Sequence, residues 1–311
     1  MILVTGTNGF IGHSLCKSLV LFDRKVKGIV RSKSYAFHSK NFTKILVDKI
    51  DDKTNWLSTL SGCDTVIHCA AKNNNAHMID ELNSFRSINT AGTKNLAEQC
   101  AKVGVKRFIF LSSALVMGTN TNNRLAFLNS DKPNPSENYS ISKFEAEEEL
   151  WKISKNTGLE VVVIRSPIVY GCGVKGNLKR LIKLVNMGIP MPFGFLKNQR
   201  SFIGLDNLID LLIKCIDHPN AAGKTFLVSD GEDLSTADLI RYMQLAIKKP
   251  NVLIPIPVFF LKFVSMIIGK QKEMNKLVSS FKLDTSYVRS ELNWKPPWSV
   301  KEGIIKMMNC K

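Results

Sequence analysis

A doubly wound parallel α/β sheet with a smaller, mostly helical C-terminal lobe is the architecture this 311-residue sequence predicts. Three observations predict it. The chain opens on a short apolar strand, Ile2-Leu3-Val4, that runs straight into glycines at 6, 9 and 12 and then into the amphipathic stretch Ile11, Leu15, Leu19. The first half goes on alternating short apolar runs with longer amphipathic ones, as strand–helix–strand units do. Beyond Arg165 the alternation loosens into helices separated by short strands and by loops such as Gly171-Cys172-Gly173 and Met191-Pro192-Phe193-Gly194.

The elements follow in order. In the opening turn one glycine allows a tight strand-to-helix reversal, one lets backbone approach a pyrophosphate, and one lets helix pack on strand. Amides freed at the helix N-terminus then face an anion, so the segment reads as a Rossmann-type dinucleotide cradle. Strands are expected at Ile2–Val4, Val26–Val30, Lys44–Val47, Thr65–Cys69, Arg107–Leu111 and Val161–Ile164, with helices at about 11–22, 54–60, 84–103 and 136–157. Pro135-Ser136 opens the last helix, with Ser136 as its cap, and Gly158 closes it. Later helices are expected at about 177–187, 206–217, 235–247, 258–268 and 272–280, with a strand at Thr225–Val228. The reading is a dinucleotide-binding domain over 1–165, interleaved with a substrate-binding lobe over 166–311, and a cleft between them.

Composition narrows the class. Apolar and charged fractions are those of an ordinary globular protein, and a first strand at residue 2 leaves no room for a signal peptide, so a cytoplasmic location is expected. Cysteines 16, 63, 69, 100, 172, 215 and 310 are scattered, odd in number and form no C-x-x-C pair, which predicts free thiols and neither a disulfide scaffold nor a metal site. Net charge is +17, concentrated from Arg241 onward, where thirteen Lys/Arg face four Asp/Glu. Such a balance suits a lysine-rich solvated surface, an anionic nucleotide substrate or an anionic membrane surface. No basic run interleaves with aromatics, so nucleic acid is not an expected partner. The apolar run from Val252 to Ile268 is broken by two prolines and Lys262, below the ~20 clean apolar residues of a spanning helix. It reads as a buried strand–turn–helix, with shallow interfacial docking of 259–268 as the alternative. A homodimer stays open.

Two further segments carry chemistry. Phe110-Leu111-Ser112-Ser113 sets two hydroxyls at a strand's C-terminal end, where ligands sit in open α/β sheets; serines there also serve as caps and turn formers. Tyr139 and Lys143, four apart, share a helix face. A free phenol titrates near ~10, and a neighbouring ammonium is expected to bring that down. Glycine turn, Ser113 and Tyr139-x-x-x-Lys143 together supply a dinucleotide site, a hydrogen bond to a substrate oxygen and a proton carrier.

On these residues the chain resembles the NAD-dependent epimerase/dehydratase family, the extended short-chain dehydrogenases/reductases. Thr5-Gly6-x-x-Gly9-x-x-Gly12, His68-Cys69-Ala70-Ala71, Asn89-Thr90-Ala91-Gly92-Thr93, Ser112-Ser113-Ala114-Leu115-Val116-Met117-Gly118 and Tyr139-x-x-x-Lys143 match its signatures, as do Arg165–Gly171 and Arg200–Asn207, and the likeness runs through Trp298–Gly303. The resemblance implies Ser113, Tyr139 and Lys143 as catalytic residues, with Lys143 also holding the nicotinamide ribose. It implies cofactor contacts at Gly6, Asn8, Gly9, Phe10, Ile11, Gly12, Asp48 and Ala70, and substrate diphosphate contacts at Asn177 and Arg200; a surface salt bridge is the competing role for Arg200. Asn89 is equally suited to a structural hydrogen bond. Two departures stand out. Arg31-Ser32-Lys33 follows the second strand where an acidic residue would receive the adenosine ribose of NAD; Arg31 favours NADP(H), with NAD(H) second. Met117 replaces the tyrosine of V-Y-G.

The family implies redox at C4 of a nucleotide-linked sugar. Arg31, together with the likeness of 173–177 and 192–207 to a bacterial surface-polysaccharide subgroup, favours reduction of a UDP-4-keto-6-deoxy-N-acetylhexose for O-antigen or capsule synthesis. The alternative is 4-epimerisation of UDP-glucose or UDP-N-acetylglucosamine. Outside enzymology, the alternative is a non-catalytic dinucleotide-binding or membrane-docked scaffold.

Overall fold

The structure is a computed structural model that describes residues 1–32, 35–73, 81–250 and 253–310; Lys33 and Val252 lie outside the described residues. Ten strands are described: β1 (Ile2–Thr5), β2 (Val26–Val30), β3 (Phe42–Leu46), β4 (Thr65–His68), β5 (Arg107–Ser113), β6 (Glu160–Ser166), β7 (Ile168–Tyr170), β8 (Arg200–Gly204), β9 (Lys224–Leu227) and β10 (Asp233–Leu234). The helices are α1 (Phe10–Leu21), α2 (Leu57–Leu60), α3 (Glu81–Phe85), α4 (Gly92–Lys102), α5 (Asn138–Thr157), α6 (Gly176–Met187), α7 (Leu205–Asp217), α8 (Thr236–Ala246), α9 (Val258–Ile267), α10 (Gln271–Val278), α11 (Ser286–Leu292) and α12 (Val300–Met308).

Seven strands form one parallel sheet in the order β3-β2-β1-β4-β5-β6-β9. The order in which successive strands are added reverses between β1 and β4, and in such sheets the crevice outside the strand ends at that point receives ligands. Successive residues of a strand face opposite sides, so both faces must be apolar. Ile2 and Val4 join the core beneath α1 and α7, whereas Leu3 joins the one beneath α4 and α5 with Trp56, Phe108 and Phe110. A second sheet, β10-β8-β7, supports the smaller lobe. Its core holds Tyr170, Phe202, Leu239, Ile240 and Ile304, and Phe10 touches this core and that of the large sheet.

Arg107 closes the edge of the large sheet remote from the crevice. Its guanidinium donates to the carbonyls of Cys215 and Ile216 at 2.8 Å and of His218 at 3.0 Å, and it pairs with Glu160 at 2.6 Å. The Cys215 and Ile216 carbonyls are among the last of α7, which the helix itself leaves without amide partners, and a cation there also meets the negative helix terminus.

Three expectations are corrected. The cap of α5 is Glu137 rather than Ser136: Glu137 N donates to Ser140 Oγ at 3.2 Å, and Ser140 Oγ donates to Glu137 O at 2.8 Å. The expected helix 84–103 is interrupted by a π-helical turn at Arg86–Ala91. The thiols are not all free. Cys172, after β7, is joined to Cys310, after α12, with Cα atoms 5.8 Å apart, inside the span a disulfide bridges. Their separation of 138 residues leaves no local spacing to announce the pair. Cys16, Cys63, Cys69, Cys100 and Cys215 are free.

Candidate active site

The crevice begins at the glycine turn. Gly6 has φ +72°, and a Cβ on it would lie 2.8 Å from Ala70 N, so the residues after β4 cross directly against the turn. A Cβ at Gly9 would stand 2.9 Å from Gly6 O, and one at Gly12 would strike the same carbonyl. No side chain caps α1, leaving the first-turn amides around Phe10 and Ile11 to an incoming anion. Asn8 Oδ1 accepts from Arg31 N at 2.9 Å, tying the turn to the end of β2. Arg31 and Asp48, both exposed, follow β2 and β3 at the same edge. These residues suit a dinucleotide: pyrophosphate on the amides, adenosine toward Arg31 and Asp48.

Next to the turn lies a buried polar chain. Thr5 Oγ1 meets His68 Nδ1 at 2.7 Å, and His68 Nε2 meets Thr93 Oγ1 at 3.1 Å. Thr93 spends its one proton on Asn89 O at 2.6 Å, so it accepts from His68 Nε2–H. Nδ1 is then the acceptor of the Thr5 hydroxyl, which itself accepts from Ala70 N at 3.2 Å. This pattern assigns a neutral Nε2–H imidazole. Burial, helped by the charge of Lys143, pushes His68 down to about 3, in keeping with that tautomer. Asn89 is structural: its side chain receives Lys72 N at 2.8 Å, donates to Lys72 O at 3.0 Å and to Ser142 Oγ at 3.0 Å. The π turn aims it there, holding the loop after β4 to the helix that carries Tyr139.

Strand β5 runs two residues further than its apolar pattern shows, so Ser112 and Ser113 are strand residues paired with Arg165 and Ser166. Ser113 Oγ accepts from Leu115 N at 3.2 Å at the start of the 3-10 turn Ala114–Met117. Ser112 points to the other face and donates to Glu147 Oε1 at 2.5 Å. Glu147, 1 % exposed, pairs with the buried Arg165 at 2.6 Å, and Arg165 Nη1 lies 3.0 Å from Met117 Sδ. Met117 is therefore spent inside, against a guanidinium.

Tyr139 and Lys143 occupy the first two turns of α5. Tyr139 is half-buried with its ring edge-on to Phe85, and desolvation pushes its phenol up to about 12. This reverses the expected downward shift. The Lys143 ammonium lies over the Phe110 ring at 3.8 Å, and burial lowers it to about 7 despite the opposing charge of Glu147. A lysine whose folded value lies below its unfolded one binds fewer protons when folded, so the cofactor-free protein gains stability as pH rises from 7 toward 10.5. Urea unfolding at pH 7 and pH 8.5 should show that gain, and Lys143→Met should flatten it; an equal gain in the variant would place its origin elsewhere.

Asn177 stands exposed in the first turn of α6. Arg200, whose guanidinium burial lowers from its usual value, begins β8 and donates from Nη1 to Lys276 O at 2.6 Å and Ser279 O at 3.2 Å. Among the described residues no hydrogen bond joins Asn177 to Arg200. Sequence reasoning missed the Lys276 bridge: its ammonium pairs with Glu137 at 2.5 Å, two residues before Tyr139, while its carbonyl holds Arg200.

The glycine turn and the order of the parallel sheet define a Rossmann-type dinucleotide-binding fold. Comparison makes the assignment specific: the chain belongs to the NAD dependent epimerase/dehydratase family, whose model matches residues 2–229. It is 42 % identical over 310 residues to a UDP-glucose 4-epimerase of Vibrio cholerae, covering 97 % of this chain and 93 % of that protein. It is 25 % identical over 318 residues to an N-acetyl-α-D-glucosaminyl-diphospho-ditrans,octacis-undecaprenol 4-epimerase of Escherichia coli O157:H7, covering 97 % of this chain and 92 % of the other. In structure it is similar to a UDP-glucuronic acid 4-epimerase of Bacillus cereus in complex with NAD, with a TM-score of 0.80, 23 % identity and coverage of 99 % and 95 %. That likeness speaks for the fold.

Proposed function

We propose that this enzyme is a 4-epimerase of UDP-hexoses or UDP-N-acetylhexosamines, working in the cytoplasm. The observation that carries the reading is the 42 % identity to the Vibrio cholerae UDP-glucose 4-epimerase along nearly the whole of both chains. A nicotinamide held by the glycine turn and Lys143 would supply reversible hydride transfer at C4. Tyr139 takes the C4 hydroxyl proton and returns it after the 4-keto sugar has turned its other face; Ser113 donates to the same oxygen. Lys143 holds the nicotinamide ribose and, once charged there, stabilises the phenolate. Asn177 and Arg200 hold the diphosphate. The Escherichia coli relative is named for a polyprenol-diphosphate sugar, and a site that grips sugar through a diphosphate admits either carrier.

The assay is interconversion of UDP-glucose with UDP-galactose, and of the N-acetyl pair, with no cofactor added, beside mass analysis of the co-purifying nucleotide. Interconversion with retained NAD supports the proposal. Arg31 favours a second reading, the NADPH-dependent 4-ketoreductase, and NADPH consumption on a UDP-4-keto-6-deoxy sugar without interconversion would assign it. Arg31 also sets cofactor choice in this reading. Arg31→Asp is expected to lower NADP affinity at least tenfold relative to NAD by titration; an unchanged ratio would remove Arg31 from the adenosine site.

A further inference from the structure

The hairpin of α9 and α10 carries a surface that the cleft does not use. In α9 Leu261 and Ser265 face inward, while Phe259, Phe260, Phe263, Met266 and Ile267 are 50–74 % exposed. The helix is inside-out in composition: its serine is buried, donating to Lys262 O at 2.8 Å, and its aromatic rings meet solvent. Ile254, four residues before α9, and Phe195 are also exposed, on segments joined by the Gly194 N–Ile254 O hydrogen bond of 3.0 Å. Water-facing proteins rarely keep so large a contiguous apolar face uncovered.

The charges around this face indicate what covers it. Between Leu253 and Leu283 the chain has five lysines (262, 270, 272, 276 and 282) and one acid, Glu273; Lys276 pairs with Glu137 and Lys270 with Glu273, so the positive charge around the face rests on Lys262, Lys272 and Lys282. A second copy docked face to face would press these lysines against their own images. An anionic lipid surface complements them: ring and aliphatic groups enter the headgroup–acyl boundary while lysine stems reach back to phosphates. No described helix is long and apolar enough to cross a membrane, and ten residues of α9 span ~15 Å, half of a ~30 Å hydrocarbon core. We propose that the α9–α10 hairpin docks this protein in-plane on an anionic bilayer surface. Docking also orients the cleft, because α10 carries in its last turn Lys276, whose carbonyl holds Arg200 and whose ammonium holds Glu137.

The test is flotation of the full chain with vesicles of phosphatidylglycerol and phosphatidylethanolamine, against vesicles of phosphatidylcholine alone. Binding is expected to the anionic vesicles, at least tenfold weaker on the neutral ones. The triple variant Phe259→Ser, Phe263→Ser, Ile267→Ser should lower binding at least tenfold while leaving UDP-sugar turnover and melting temperature unchanged. Lys262→Glu with Lys272→Glu, which keeps the apolar face, should do the same on anionic vesicles. Absence of wild-type binding, or a triple variant that still floats, overturns the proposal. So does a solution dimer that the triple variant splits, since a second copy then owns the face. Flotation needs no turnover, so failure here and failure of the epimerase reading are told apart.

Discussion

Tyr139→Phe is expected to lower kcat by about 10²–10⁴-fold, the usual worth of one positioned proton carrier. The ring stays against Phe85 and the rest of α5 is untouched, so melting temperature and dinucleotide affinity should stay near wild type. The solitary phenol sits at about 12 through desolvation, too high to leave its proton at neutral pH. In the proposed reading its activation depends on positive charge brought to it, which Lys143, one helical turn on in the same helix, supplies in its protonated form. Steady-state kinetics beside calorimetry decide the matter. A variant with most of its turnover would show that another group moves the proton.

Glu147→Gln has the largest expected cost to stability. Glu147 and Arg165 are both buried, and Glu147 also accepts from Ser112. Removing one charge leaves the other desolvated and unpaired, which costs about 3–5 kcal/mol. At the usual unfolding entropy per residue, a chain of this length should melt about 5–8 °C lower. Replacing the pair together by Leu and Met should recover much of that, because both penalties vanish. Differential scanning calorimetry of the single and double variants checks this. A single variant melting at the wild-type temperature would show that water reaches the guanidinium.

The two halves of the fold were unequally legible. The large sheet could be read because its strands are buried on both faces and appear as unbroken apolar runs, and because the glycines of the first turn have no substitute there. Strand β5 ran past its expected end because Ser112 and Ser113 interrupt the apolar run while their backbones keep pairing with β6. The second sheet escaped notice: β10 has two residues and β7 three, too short for a period to register. Arg200–Asn207 matches a family signature, yet its Asn207 is structural, donating to Asp230 at 2.7 Å and to Trp298 O at 2.8 Å. Asn89 and the π turn show the same limit. Spacing locates a polar residue, but only packing shows whether it faces a ligand or a neighbouring loop. The phenol's upward shift was illegible for the same reason, since Tyr139 and Lys143 share a helix face while the ammonium rests on a ring from the sheet.

Arg107 gives the sheet a mechanical polarity. One rim is riveted by a guanidinium that holds three carbonyls and a carboxylate at once; the opposite rim is formed by the loops that follow the strands. A scaffold anchored at its far end can exchange the loops at its near end without being rebuilt. Substrate range in chains of this architecture can therefore drift by loop replacement, while changes near Arg107 register as lost thermal resistance with the sugar preference intact.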